Sequence, residues 1–179
     1  MPAYPPAHWY AEAELLPFEP PAPVDTRVGN VSAFLHMLAH AEGTTGFGSQ
    51  DGYNVIVGGG VFHGYDDHPR QSIHLPRYGI SSTAAGRYQF LISTWDDLVR
   101  RFGYRDFSPA NQDAGAIQLI RQCRALRLVK DDQLKEAIDA CSAIWASLPG
   151  AGYGQREVAI DELESVYRQA GGRAEDHRG

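Results

Sequence analysis

The sequence predicts an α+β domain, mainly helical, with a small antiparallel β-hairpin lobe. Two observations carry this. Several segments place apolar residues at three- and four-residue steps, the mark of a half-buried helix. One short run, Tyr53 to Phe62, instead alternates around a cluster of glycines, as a hairpin does. With 179 residues and 43% hydrophobic side chains, the chain is long enough for one domain with a substantial core.

The first helix runs from about Asn30 to Glu42. Val31, Phe34, Leu35, Leu38, Ala41 and Glu42 share one stripe, Asn30 or Ser32 is a candidate cap, and Gly43 is a C-terminal stop. In the hairpin, Tyr53, Val55 and Val57 alternate and Gly58 to Gly60 turn the chain into Val61 and Phe62. DDHPRQSIHLPRYGISS then reads as a long polar loop with room for one short strand.

From Ala84 onward helices are expected. Tyr88, Leu91, Trp95, Leu98 and Phe102 form a stripe closed by Gly103. Ser108-Pro109 caps a helix that continues towards Leu128. Leu134, Ile138, Cys141, Trp145 and Leu148 mark the next, broken at Pro149-Gly150, and Gln155 to Ala170 the last. That makes five helices around one hairpin.

The ends differ in composition. Residues 1–29 hold most of the eleven prolines, with Trp9, Tyr10 and Phe18 between them, and read as an extended arm. Residues 30–172 form the domain, and 173–179 a charged tail.

Composition also excludes. A net charge of −6 argues against nucleic acid and gives no help towards an acidic polymer. No apolar stretch reaches the length of a membrane span, and the N-terminus lacks a basic start with an apolar core, so neither membrane insertion nor a signal peptide is expected. Cys123 and Cys141 read as buried free thiols, a single disulfide being the lesser alternative. His36 and His40 have a possible zinc spacing but lie opposite Leu38, so solvated histidines are the expectation and no metal is assigned.

Glu42 stands out because it lies in the apolar stripe at the helix end. Partial burial and the negative end of the helix dipole both disfavour its anion. A carboxyl protonated near neutral pH suits general acid catalysis, whereas a Glu that swings into solvent would do nothing. Two further glycine-rich stretches carry polar and aromatic groups: STAAGRYQ with Arg87, Tyr88 and Gln89, and LPGAGYGQ with Tyr153 and Gln155. Amides, backbone groups and aromatic faces of this kind suit a polar, ring-shaped ligand.

AEGT, GYNVIVGG, DHPR, STAAGRYQ, FSPANQDAGA and IWASLPGAGYGQ occur in an order and spacing that resembles the lambda-type endolysin family, across residues 30–172. The resemblance implies a lysozyme-like fold and a lytic transglycosylase that cleaves the MurNAc–GlcNAc β-1,4 bond of peptidoglycan. It implies that Glu42 is the family's single catalytic glutamate. It places Arg87, Tyr88, Gln89, Tyr153 and Gln155 along the substrate, with Asn54 and His68 as contacts from the hairpin and the DHPR loop. Asn54 stands where the family pattern leads us to expect Asp, which removes a second carboxylate there.

The expected reaction needs no metal or organic cofactor. Glu42 protonates the glycosidic oxygen and then accepts the proton of the MurNAc C6 hydroxyl, leaving a 1,6-anhydroMurNAc end. A hydrolytic muramidase and a non-catalytic wall-binding module are the alternatives. The expected partner is the peptidoglycan glycan strand, met by a monomer made in the cytoplasm and acting in the periplasm, released by a holin or another route.

Overall fold

A computed structural model describes residues 29–46, 50–152 and 156–173. Apart from Gly29, the proline-rich arm lies outside them, as do Tyr153 and Gln155. Among the described residues the chain forms six helices and four short strands, the α+β class that the periodicity predicts.

Helix α1 (Asn30–Ala41) is the centre of the domain. Its burial is wider than one stripe: Ala33, Met37 and Ala39 are enclosed along with Phe34 and Leu38. Only Ser32, His36 and His40 keep appreciable surface. Neither predicted cap operates at its start. Gly29 occupies the cap position at φ 90° without a side-chain bond. The Asn30 side chain instead bonds Val129 O and Asp132 and accepts the Arg173 N–H, tying the helix start to two distant segments.

At the other end the chain leaves α1 through a Schellman motif. Gly43 N–H bonds His40 O at 2.9 Å and Thr44 N–H bonds Ala39 O at 3.0 Å, with Gly43 at φ 70°. This turn fixes Glu42 as the capping residue.

Strands β1 (Val55–Ile56) and β2 (Gly60–Val61) pair antiparallel across the predicted glycine turn. The following loop holds a second hairpin where one strand was expected: β3 (Ile73–Leu75) pairs with β4 (Ile80–Ser82). The four residues Pro76 to Gly79 between them suffice to reverse the chain.

Helix α2 (Ile92–Phe102) starts later than its stripe suggests. Residues 84–91 are not helical. Ala85 and Phe90 exchange two backbone bonds, and Gly86 (φ 79°) and Gln89 (φ 51°) are both left-handed. A right-handed helix excludes that geometry. Helix α3 (Pro109–Gln122) begins at the predicted Ser108-Pro109 but ends early, because Arg124 turns left-handed (φ 60°) and opens a separate α4 (Ala125–Lys130). Helix α5 (Leu134–Cys141) likewise stops short, leaving residues 142–149 as turns that still bury Trp145 and Leu148. Helix α6 (Ile160–Gln169) begins five residues after Gln155 and packs on α1.

One aromatic cluster joins the hairpin lobe to the helices. Trp95 meets Phe107 edge-on at 4.6 Å, and Phe107 in turn contacts Phe62, His68 and Phe90. Each such pair adds about 1 kcal/mol beyond its buried area. Both cysteines are free; Cys141 is buried and Cys123 half-buried.

Candidate active site

Glu42 opens into a groove of about 360 Å³ between the two hairpins and the helical body. Val57, Tyr78 and Ile80 come from the hairpins, Tyr88 and Gln89 from the turn before α2, and Ile144 and Trp145 from the segment after α5. Tyr78, Ile80, Leu91 and Ile144 are large apolar side chains left exposed, and all four line this groove. Apolar surface gathered in one cleft marks a binding site. Among the described lining residues Glu42 is the only carboxylate.

The Glu42 residue keeps some surface open to the groove, yet protein crowds its carboxyl closely. Burial raises its pKa to about 7, against the Ser147 hydrogen bond, which lowers it. Ser147 Oγ donates to Glu42 Oε1 at 2.6 Å. Ser147 escaped the sequence reading. It lies 105 residues away and has no periodicity or charge to flag it; only its place inside IWASLPGAGYGQ connects it with the site.

The GRYQ turn is held from three sides. Thr44 Oγ1 lies 2.7 Å from Arg87 O, Trp145 Nε1 donates to Tyr88 O at 3.3 Å, and the Arg87 N–H bonds Gln112 Oε1 at 2.9 Å. The Thr44 contact links the turn directly to the end of α1. Tyr88 thus presents a buried ring to the groove, and its hydroxyl donates to Asp113 Oδ1 at 2.6 Å. Tyr53 donates to the same oxygen at 2.9 Å. Burial raises the Asp113 pKa and both hydroxyl bonds oppose the rise. Asp113→Ala leaves two tyrosine hydroxyls without their acceptor, so a loss of about 3 kcal/mol is expected in urea unfolding. A loss below about 1 kcal/mol would refute the role of this pair.

Three residues expected along the substrate are placed elsewhere. Arg87 is buried, with its guanidinium on Asp51 (Nη1 to Oδ2, 2.9 Å) and over the Tyr53 ring at 5.1 Å. His68 is buried against Phe107; its Nε2 donates to Phe90 O at 2.9 Å and its Nδ1 accepts the Arg70 N–H at 3.1 Å. Both bonds suit the neutral ring, and burial lowers its pKa. Asn54 is buried beside β1, and its Oδ1 has no partner among the described residues. None of the three lines the groove.

The DHPR stretch acts as a staple instead. Arg70 bridges Asp67 at 2.5 Å and Asp96 of α2 at 2.7 Å, fastening the loop to the helix. Tyr153 and Gln155 fall outside the described residues. Beyond them in the chain, Glu157 accepts the N–H groups of Gly150 and Gly152 and so holds the glycine turn. His40 pairs with Glu162 at 2.8 Å. Among the described residues no group of three or more His, Cys, Asp or Glu has the arrangement to hold a metal ion.

The sequence model of the Endolysin family matches residues 32–174. The chain belongs to the endolysin family. It is 50% identical over 145 residues to the endolysin of Escherichia phage lambda, covering 78% of this chain and 90% of that one. It is 45% identical over 161 residues to the endolysin of Escherichia phage P2, covering 84% and 98%. The fold of this family member matches bacteriophage lambda lysozyme solved with a chitohexasaccharide, at a TM-score of 0.81 and 43% identity. That match covers 86% of this chain and 99% of the other. A second lambda lysozyme structure matches at 0.77. The fold is therefore lysozyme-like, as the motif resemblance implies.

Proposed function

We propose that this endolysin is a peptidoglycan lytic transglycosylase in which Glu42 serves first as acid and then as base. The single observation that carries the reading is a carboxyl with a pKa near 7 standing as the only acid among the described residues of a sugar-sized groove. Hydrolases of ordinary type place two carboxylates across the bond. With one, the second nucleophile has to come from the substrate or from water.

Glu42, protonated, gives its proton to the glycosidic oxygen between MurNAc and GlcNAc. The C1–O bond breaks, and the MurNAc acetamide supports the positive charge that develops at C1. The ionised Glu42 then takes the proton of the MurNAc C6 hydroxyl as that oxygen bonds to C1. The products are a GlcNAc 4-hydroxyl end and a 1,6-anhydroMurNAc end, with no water consumed and Glu42 protonated again. Tyr88 and Gln89 line the sugar path beside it. The chitohexasaccharide held by the lambda relative supports a groove that takes a β-1,4-linked N-acetylated chain. The wall that this reaction attacks lies outside the inner membrane, so release by a holin or a comparable route goes with the reading.

The test is mass spectrometry of muropeptides from purified Gram-negative sacculi digested with the protein. Anhydro ends that resist borohydride are expected. Reducible MurNAc ends would make the enzyme a hydrolytic muramidase and remove the C6 hydroxyl from the mechanism. Wall binding with no soluble fragments would mean a binding module.

A further inference from the structure

The two oxygens of Glu42 are not equivalent. Oε1 accepts the Ser147 hydroxyl at 2.6 Å, while Oε2 has no bond within the described residues. Both partners are rigidly mounted. Glu42 is fixed by the Schellman turn that ends α1. Ser147 is flanked by buried Trp145 and Leu148, and its carbonyl accepts the Val158 N–H at 2.9 Å. Trp145 Nε1 in turn reaches Tyr88 O, so the segment carrying Ser147 is tied to the groove wall. The short contact is thus set between two anchored backbones.

We propose that Ser147 is the positioning residue for Glu42: by occupying Oε1 it leaves Oε2 as the oxygen that gives and then recovers the proton. The inference rests on Glu42 as the acid of the proposed reaction. A serine hydroxyl has one proton to give. While that proton points at Oε1, the carboxyl proton sits on Oε2, the only other oxygen. After transfer the same hydroxyl bond steadies the carboxylate, which has lost its own proton in a crowded setting. Burial alone would hold the acid protonated to a higher pH and make it a more reluctant donor. The hydroxyl tempers that and brings the group close to neutrality.

The experiment is a pH profile of initial rates on sacculi for wild type, Ser147→Ala, Ser147→Thr and Glu42→Gln, each checked for folding by thermal unfolding. Ser147→Ala removes a bond that favours the anion. Its alkaline limb is expected to move up by about one pH unit, with a plateau rate roughly tenfold lower. Ser147→Thr keeps a hydroxyl and is expected to return the limb to its wild-type place. Should Ser147→Ala fail to fold, Ser147→Gly carries the same expected shift. An alkaline limb unmoved by loss of the hydroxyl overturns the inference, whether or not the rate falls, because lost packing lowers rates without moving a limb. Glu42→Gln separates the two levels. If it is inactive while the Ser147 limb stays fixed, only the positioning role is lost. If it is active, the acid itself is misassigned and both fall.

Discussion

Glu42→Gln is expected to abolish wall cleavage and to make the folded chain more stable above neutral pH. The activity loss should be about 10³-fold or greater, since a positioned general acid contributes on that scale and glutamine has no proton to donate. The stability gain follows from the raised pKa. The carboxyl titrates at about 7 in the folded protein, against 4.5 for an ordinary glutamate. Between those values the folded state holds a proton that the unfolded state has released. Stability contributed by this group is therefore fully present below the unfolded value and is lost as pH climbs through the folded one. The difference amounts to about 3 kcal/mol above pH 7. Glutamine is neutral throughout and escapes that loss. Urea unfolding at about pH 9 should find Glu42→Gln more stable than wild type by about 2–3 kcal/mol, with the two alike near pH 4. A variant no more stable at high pH would mean that the carboxyl ionises freely and is no poised acid. A variant that still lyses would mean that another group is the acid.

That conflict between stability and function is what the sequence displays at Glu42, and it explains why this residue could be read early. A carboxylate in an apolar stripe breaks a local rule, and broken rules concentrate at sites. Helix α1, its glycine stop, the first hairpin and the Ser108-Pro109 start were legible for the opposite reason: their local chemistry agrees with the fold. The places that spacing does not reveal have a common physics. Tyr88 and Leu91 fit a helical stripe, but pairing of Ala85 with Phe90 overrides the periodicity. Arg124 is not a turn residue by type, so nothing marked the break between α3 and α4. His68, Arg87 and Asn54 are polar and sit in family motifs, which suggested sugar contacts. Two of them meet partners inside the protein, Phe90 O for His68 and Asp51 for Arg87, and partners distant in sequence cannot be read from spacing. Ser147 is the converse case, an unremarked hydroxyl that the fold brings against Glu42.

The largest expected loss of stability at the groove comes from Gly86→Ala. Gly86 opens the turn that carries Tyr88 and Gln89, and its φ of 79° lies where side chains are strained. Space is the greater obstacle. A Cβ at Gly86 would sit 2.3 Å from Gln112 Oε1 and 2.8 Å from Phe107 Cζ. Neither neighbour is free to give way. Gln112 is fully buried, accepts the Arg87 N–H and donates to Tyr53 O and Phe107 O, while Phe107 stands in the aromatic cluster against Trp95. Moving the Gln112 amide would leave several buried polar groups unpaired. Backbone strain, overpacking and broken bonds together are expected to destabilise by about 4 kcal/mol, a fall in Tm of about 10 °C. Gly79→Ala is the control. Gly79 also has positive φ, 62°, but nothing lies within 4 Å of its Cβ position. Strain alone should then cost about 1 kcal/mol. The pair separates conformation from crowding. If the two variants unfold alike, the glycine at position 86 serves only its backbone angle and the tight approach to Gln112 is wrong. If Gly86→Ala falls much further and the fraction still folded turns over sacculi slowly, the close packing beneath the turn is what holds Tyr88 and Gln89 in the groove beside Glu42.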